Sequence, residues 1–146
     1  MRILLTLLFA FTLQAVSAQR VVDWSTLANV KFTREFSKQF GFEVNVKPPK
    51  FAPEILAIHG QTVKVRGYVI PIDVDLGLYM VSANPFANCF FCGGAGPETV
   101  VELFAAERFP RFNTDQVVTF TGKFQVSQGG EMNGVPYQLF QSRVAK

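Results

Sequence analysis

The chain has 146 residues, 49% of them hydrophobic and 17% charged, with a formal net charge of +3. That length gives one domain with a single core, and so small a positive excess is only a weak attraction for an anionic partner. One histidine and two cysteines limit any metal site to few ligands and leave a catalytic triad to coincidence.

Residues 1–18 read as a secretory signal peptide. Arg2 supplies the positive start, residues 3–16 form the apolar core, and Val16-Ser17-Ala18 is a small-residue cleavage site with Gln19 as the mature start. The apolar run is shorter than the roughly 20 residues a spanning helix needs, and only Arg20 follows as a basic stop. No cysteine stands near the cleavage site for a lipid anchor. The expectation is a periplasmic or secreted protein with no integral membrane segment after cleavage. Its mature part, residues 19–146, forms one domain.

Residues 23–27 open a short helix with Asp23 as N-cap and Trp24 and Leu27 on one face. Residues 30–36 and 41–46 are ambiguous. Lys47-Pro48-Pro49-Lys50 reads as a break, because proline donates no hydrogen bond and restricts its predecessor. The rest reads as β. Residues 61–70 alternate, with Val63, Val65 and Val69 on one face and Lys64, Arg66 and Tyr68 on the other. Leu76, Leu78 and Met80 form the next alternating set. Residues 98–105 read as a strand, with Pro97 at a first helical position as the signal for a helix instead. Residues 116–126 put Val118, Phe120, Phe124 and Val126 on one side, and residues 135–144 form the last strand after a glycine-rich hairpin loop at 127–134.

Val63-Lys64-Val65-Arg66-Gly67-Tyr68 matches Val118-Thr119-Phe120-Thr121-Gly122-Lys123. A glycine after alternating apolar residues marks a bulge or sharp bend. Roughly five coiled strands of this kind predict a mostly β protein: a small Greek-key barrel of the oligonucleotide/oligosaccharide-binding (OB) type behind a short helical or extended N-terminal segment. A small sandwich is the alternative.

The run His59-Gly60-Gln61-Thr62-Val63-Lys64-Val65-Arg66-Gly67-Tyr68-Val69-Ile70-Pro71 resembles the L-x-G-x-x-V-x-V-x-G-Y-x-x-P signature of an uncharacterised family of small exported bacterial proteins. Trp24-Ser25-Thr26-Leu27, residues 118–123 and Tyr137-Gln138-Leu139 fall where that family's pattern has its W-x-x-L, V-x-x-x-G-x and last-strand motifs. The resemblance covers most of the mature chain. It implies an OB-like barrel with a cysteine motif after the second strand. It also implies association with metal-transport systems of the envelope, a component of which would be the partner. Many relatives carry a histidine beside the cysteines. Here the motif is Cys89-Phe90-Phe91-Cys92-Gly93-Gly94, without one.

Both cysteines lie in this motif, and residues 71–107 contain no lysine or arginine. Two sulfurs three apart and followed by glycine can face one point. In an exported chain they are expected to be metal-bound, joined as a structural disulfide, or engaged in thiol–disulfide exchange. Zinc wants four ligands, and a hairpin argument supplies two more. His59 opens the first barrel strand, Cys89 follows the second and Glu98 begins the third, so Cys89, Cys92, His59 and Glu98 are expected at one barrel end. The alternatives are a loop histidine and a solvated carboxylate. Two thiolates alone suit copper as Cu(I). Redox exchange needs a lowered thiol pKa, often from a nearby cation, and the local sequence has none. Phe86, Phe90 and Phe91 are expected to plug the barrel end.

Nucleic acid is not an expected partner. The second and third barrel strands, which bind it in OB folds, fall in the segment without lysine or arginine. Hydrolysis lacks a signal too, since Ser82, Ser127 and Ser142 sit outside any Gly-x-Ser-x-Gly context. The sequence thus predicts a non-enzymatic envelope accessory protein that binds zinc or copper through Cys89 and Cys92. The alternatives are a protein-interaction module stapled by a disulfide and a thiol–disulfide redox partner.

Overall fold

The computed structural model describes residues 19–127 and 135–146. The signal-peptide reading of residues 1–18 and most of the expected hairpin loop lie outside them. In chain order the elements are β1 (Val21–Val22), α1 (Trp24–Leu27), β2 (Val30–Ser37), β3 (Phe42–Phe51), α2 (Pro53–Ile58), β4 (Thr62–Asp73), β5 (Leu78–Ser82), β6 (Val100–Ala105), β7 (Val117–Val126) and β8 (Tyr137–Val144).

Strands β4 to β8 close into a five-stranded barrel in the order β4-β5-β6-β8-β7, with β7 pairing back onto β4. All rungs are antiparallel except β6–β8, which is parallel. This is the strand order of an OB barrel, as the sequence predicts. The alternation on β4 and β7 is also as predicted: Val63, Val65, Val69, Phe120 and Phe124 are fully buried. Burial of each such Phe stabilises the fold by about 2–3 kcal/mol.

Two glycines permit the closure. A Cβ on Gly67 would collide with the Ser82 carbonyl oxygen and the Val81 side chain, and one on Gly122 would lie 2.7 Å from the Phe140 oxygen. The ladder slips opposite Gly122, between Thr121 and Lys123, and Gln141 takes a left-handed backbone there, with φ of 50°. That is a bulge bending the strand pair.

Each end of the barrel is plugged. At the end where β4 begins, α2 sends Ile55 and Ile58 inward beside Leu27 of α1. Tyr137 Oη donates to the Leu27 carbonyl at 2.6 Å, and Trp24 Nε1 donates to the Arg66 carbonyl at 2.8 Å. The helix at residues 24–27 has its expected cap, with Asp23 Oδ1 accepting from the Ser25 amide. At the other end the β6–β7 connection inserts Phe109 and Phe112. Phe112 meets Tyr79 and Phe120 edge-on, with centroids 5.2 and 5.6 Å away.

Three expectations are corrected. On β5 the inward side chains are Tyr79 and Val81, while Leu76 and Leu78 are exposed. Both faces of that segment are apolar, so alternation alone could not choose between them. Residues 97–105 combine both readings, with Pro97 opening a single 3₁₀ turn before β6 starts at Val100. Residues 47–50 do not end an element. They lie within β3, which pairs only with β2 in a separate two-stranded sheet. The prolines fall where the register slips between the Lys31–Lys50 and Thr33–Lys47 rungs, a place where a strand tolerates a missing N–H.

Candidate functional site: the cysteine turn

Strand β5 ends at Ser82, and the chain returns to β6 through a loop clamped at its base by the Ala83 amide on the Thr99 carbonyl, 2.9 Å. Within the loop, residues 86–88 and 90–92 form two successive 3₁₀ turns. Cys89 is the hinge between them, extended at φ −84° and ψ 175°. Its carbonyl accepts from the amides of Cys92 and Gly94, each at 3.2 Å. Gly93 then reverses the chain with φ of 72°, a conformation costly for any residue with a Cβ. Gly94 packs so closely that a Cβ would lie 2.9 Å from the Asn88 backbone. Both glycines after the cysteines are therefore required by the turn itself.

The turn sets Cys89 at the hinge and Cys92 at the end of the second 3₁₀ turn, close enough for the Cys89 side chain to act on the Cys92 thiol. Both are free thiols, with Cys89 buried and Cys92 exposed. The Cys92 thiol is raised above its usual pKa by desolvation of its sulfur first, and then by the charge and hydrogen bond of Cys89. At neutral pH the Cys92 thiol is thus held protonated until something displaces its proton. Phe86 and Phe91 are 42% and 46% exposed, and Phe91 meets Phe90 edge-on at 5.3 Å. These rings form a half-open apolar rim, where the sequence suggested a buried plug.

His59 and Glu98 are placed elsewhere. His59 caps the C-terminus of α2, and its Nδ1 accepts from the Val126 amide at 3.2 Å. That is the last residue of β7. The cysteine loop is anchored at the other end of the same strand, where Asp115 Oδ1 accepts from the Phe86 amide at 2.7 Å. A ten-residue strand spans about 30 Å, so the loop is drawn away from His59. Glu98 folds back over Gly96, and its charge acts on Tyr137, whose phenol is pushed up by burial first and by Glu98 second. Among the described residues no three His, Cys, Asp or Glu side chains gather as a metal-ligating group. The hairpin argument expects His59 and the cysteine loop at one barrel end. It misses the Asp115 anchor, a contact between residues 29 apart that no local pattern announces.

A separate polar hollow of about 240 Å³ is lined by Gln19, Thr62, Thr121, Gly122, Lys123, Gln141 and Arg143. It contains none of the sequence-predicted ligands. On the exposed surface Arg111 pairs with Asp75 at 3.0 Å. Among the described residues no helix is long and apolar enough to cross a membrane.

No family model matches the chain. No curated protein matches it. The crystal structure of a DUF3299 family protein from Pseudomonas aeruginosa PAO1 superimposes with a TM-score of 0.55 at 13% identity, over 88% of this chain and 97% of that one. At that identity the likeness is one of fold: the barrel is shared with a member of an uncharacterised family.

Proposed function

We propose that this is an exported, non-enzymatic protein of the cell envelope whose Cys89–Cys92 turn holds a soft metal ion as a two-thiolate site. The observation that carries this reading is two free thiols three residues apart, one buried and one open to solvent, on a turn whose left-handed and closely packed positions are filled by Gly93 and Gly94. Two soft ligands without a third suit Cu(I) among the metals predicted from the sequence, whereas zinc asks for four ligands. His59 and Glu98 join only if the loop leaves its Asp115 anchor. The buried sulfur fixes the site and the exposed one admits the ion. The raised Cys92 thiol counts against redox exchange, which depends on a stabilised thiolate, and makes a metal ion compete with the proton for the same sulfur. The apolar rim of Phe86 and Phe91 would shield the ion and offer a contact for an envelope partner that delivers or receives it.

The test is competition for Cu(I) against a chromophoric chelator, with protein whose mature N-terminus has been sequenced. The reading expects one equivalent withdrawn from the chelator, lost in Cys89→Ser and in Cys92→Ser, and unchanged in His59→Ala and Glu98→Gln. Recovery of an intact Cys89–Cys92 disulfide from the native compartment would support the structural staple instead. An N-terminus at Gln19 supports export.

A further inference from the structure

We propose that the tip of the β2–β3 hairpin docks on an anionic lipid surface. This inference is independent of the cysteine site. The hairpin is rooted in the barrel by Val30 and Phe51, which pack on the core, and by the Ala52 amide on the Asn29 carbonyl at 3.0 Å. Beyond the root its strands pair only with each other. An isolated two-stranded ribbon is marginal in water, and this one carries apolar side chains at its far end.

The tip is built, not frayed. The Ser37 carbonyl accepts from the Gly41 amide at 2.8 Å, Ser37 Oγ accepts from the Phe40 amide at 3.4 Å, and Gly41 takes φ of 74°. This turn presents Phe36, Phe40 and Phe42 to solvent at 65%, 50% and 60% exposure. The Phe40 and Phe42 rings touch, with centroids 5.8 Å apart. Three large aromatics together on a projecting turn mark an interaction surface.

Charge identifies the occupant. Residues 30–51 carry Lys31, Arg34, Lys38, Lys47 and Lys50 against Glu35 and Glu43. Five positive less two negative charges leave +3, equal to the formal charge of the entire chain. Among the described residues the only ion pair is Arg111–Asp75, so no described carboxylate pairs with these cations. A second copy would bring an identical ribbon with the same +3 charge, and the two would repel. An anionic bilayer accepts both features at once: the rings enter the boundary of the acyl chains, and the lysine and arginine stems lie along it with their charges among the headgroups.

The experiment uses the mature chain carrying Phe40→Trp, with vesicles of phosphatidylcholine mixed with phosphatidylglycerol against vesicles of phosphatidylcholine alone. The expected result is co-sedimentation and a blue shift of the new indole with the anionic vesicles only, weakening as salt screens the charges. Lys38→Glu combined with Lys47→Glu should lower partitioning at least tenfold, since each cation near such a surface contributes about fivefold. Phe36→Ser with Phe42→Ser should abolish the blue shift. Equal binding to both vesicle types, a bound protein with no spectral shift, or a wild-type dimer that dissociates when the phenylalanines are replaced would each overturn the proposal.

Discussion

Replacing Gly67 with alanine tests whether close strand approach closes this barrel. Gly67 lies in β4 directly before Tyr68, the residue that pairs with Val117 on one side and Ser82 on the other. Its φ is not positive, so alanine meets no backbone penalty. The penalty is spatial, because the added Cβ would overlap the Ser82 carbonyl oxygen and lie 2.9 Å from Val81 Cγ2. Both neighbours are fully buried and neither is a flexible chain end. The backbones must separate by about 1 Å, and overpacking of this kind costs about 1–3 kcal/mol, partly offset by about 0.5 kcal/mol from the stiffer unfolded chain. A net loss of about 2 kcal/mol should lower Tm by about 8 °C. Gly60→Ala is the matched control. Gly60 has φ of 78° and open space around its Cβ position, so its cost is the left-handed backbone alone, about 1 kcal/mol. Thermal and urea unfolding of both variants measures the difference. If Gly67→Ala is no more destabilising than Gly60→Ala, steric closure at Gly67 is wrong.

Three further outcomes follow from buried polar groups and the thiols. The Ser142 hydroxyl is buried and has no hydrogen-bond partner among the described residues, so Ser142→Ala should stabilise the fold by about 1 kcal/mol in urea unfolding. The Tyr137 phenol is raised above the usual value of about 10. Its protonated form therefore contributes stability that is complete below pH 10 and declines as the pH rises beyond it. Tyr137→Phe should be about 1 kcal/mol less stable at neutral pH, through loss of the bond to Leu27, and should show a flatter alkaline limb in Tm against pH. Metal binding must displace the thiol protons, and the Cys92 thiol lies above its ordinary value of 9.0. Apparent affinity should therefore climb with pH through neutrality and beyond, with protons released on titration in weak buffer.

The barrel was legible where one face of a strand is apolar and the other polar. Val63, Val65 and Val69 on β4, and Phe120 and Phe124 on β7, declare their inward faces because Lys64, Arg66, Thr119 and Thr121 alternate with them. The glycine shared by those two strands marked where they bend. Strand β5 was legible as a strand but not in its phase, since Leu78, Tyr79, Met80 and Val81 offer apolar atoms to both sides. The prolines of β3 hid a strand because their missing donors sit at a register slip, a tertiary detail. The sulfurs were legible as a pair because the turn is local. The wider ligand set was not, because one side chain, Asp115, decides where the loop lies.

The central claim is that two sulfurs alone hold the ion. X-ray absorption at the copper edge of Cu(I)-loaded mature protein, with a single equivalent of metal bound, measures this most directly. The account predicts a first shell of two sulfur scatterers and no nitrogen or oxygen, with the same spectrum in His59→Ala. A shell containing imidazole or carboxylate, or copper retained undiminished after both cysteines are replaced by serine, would contradict it.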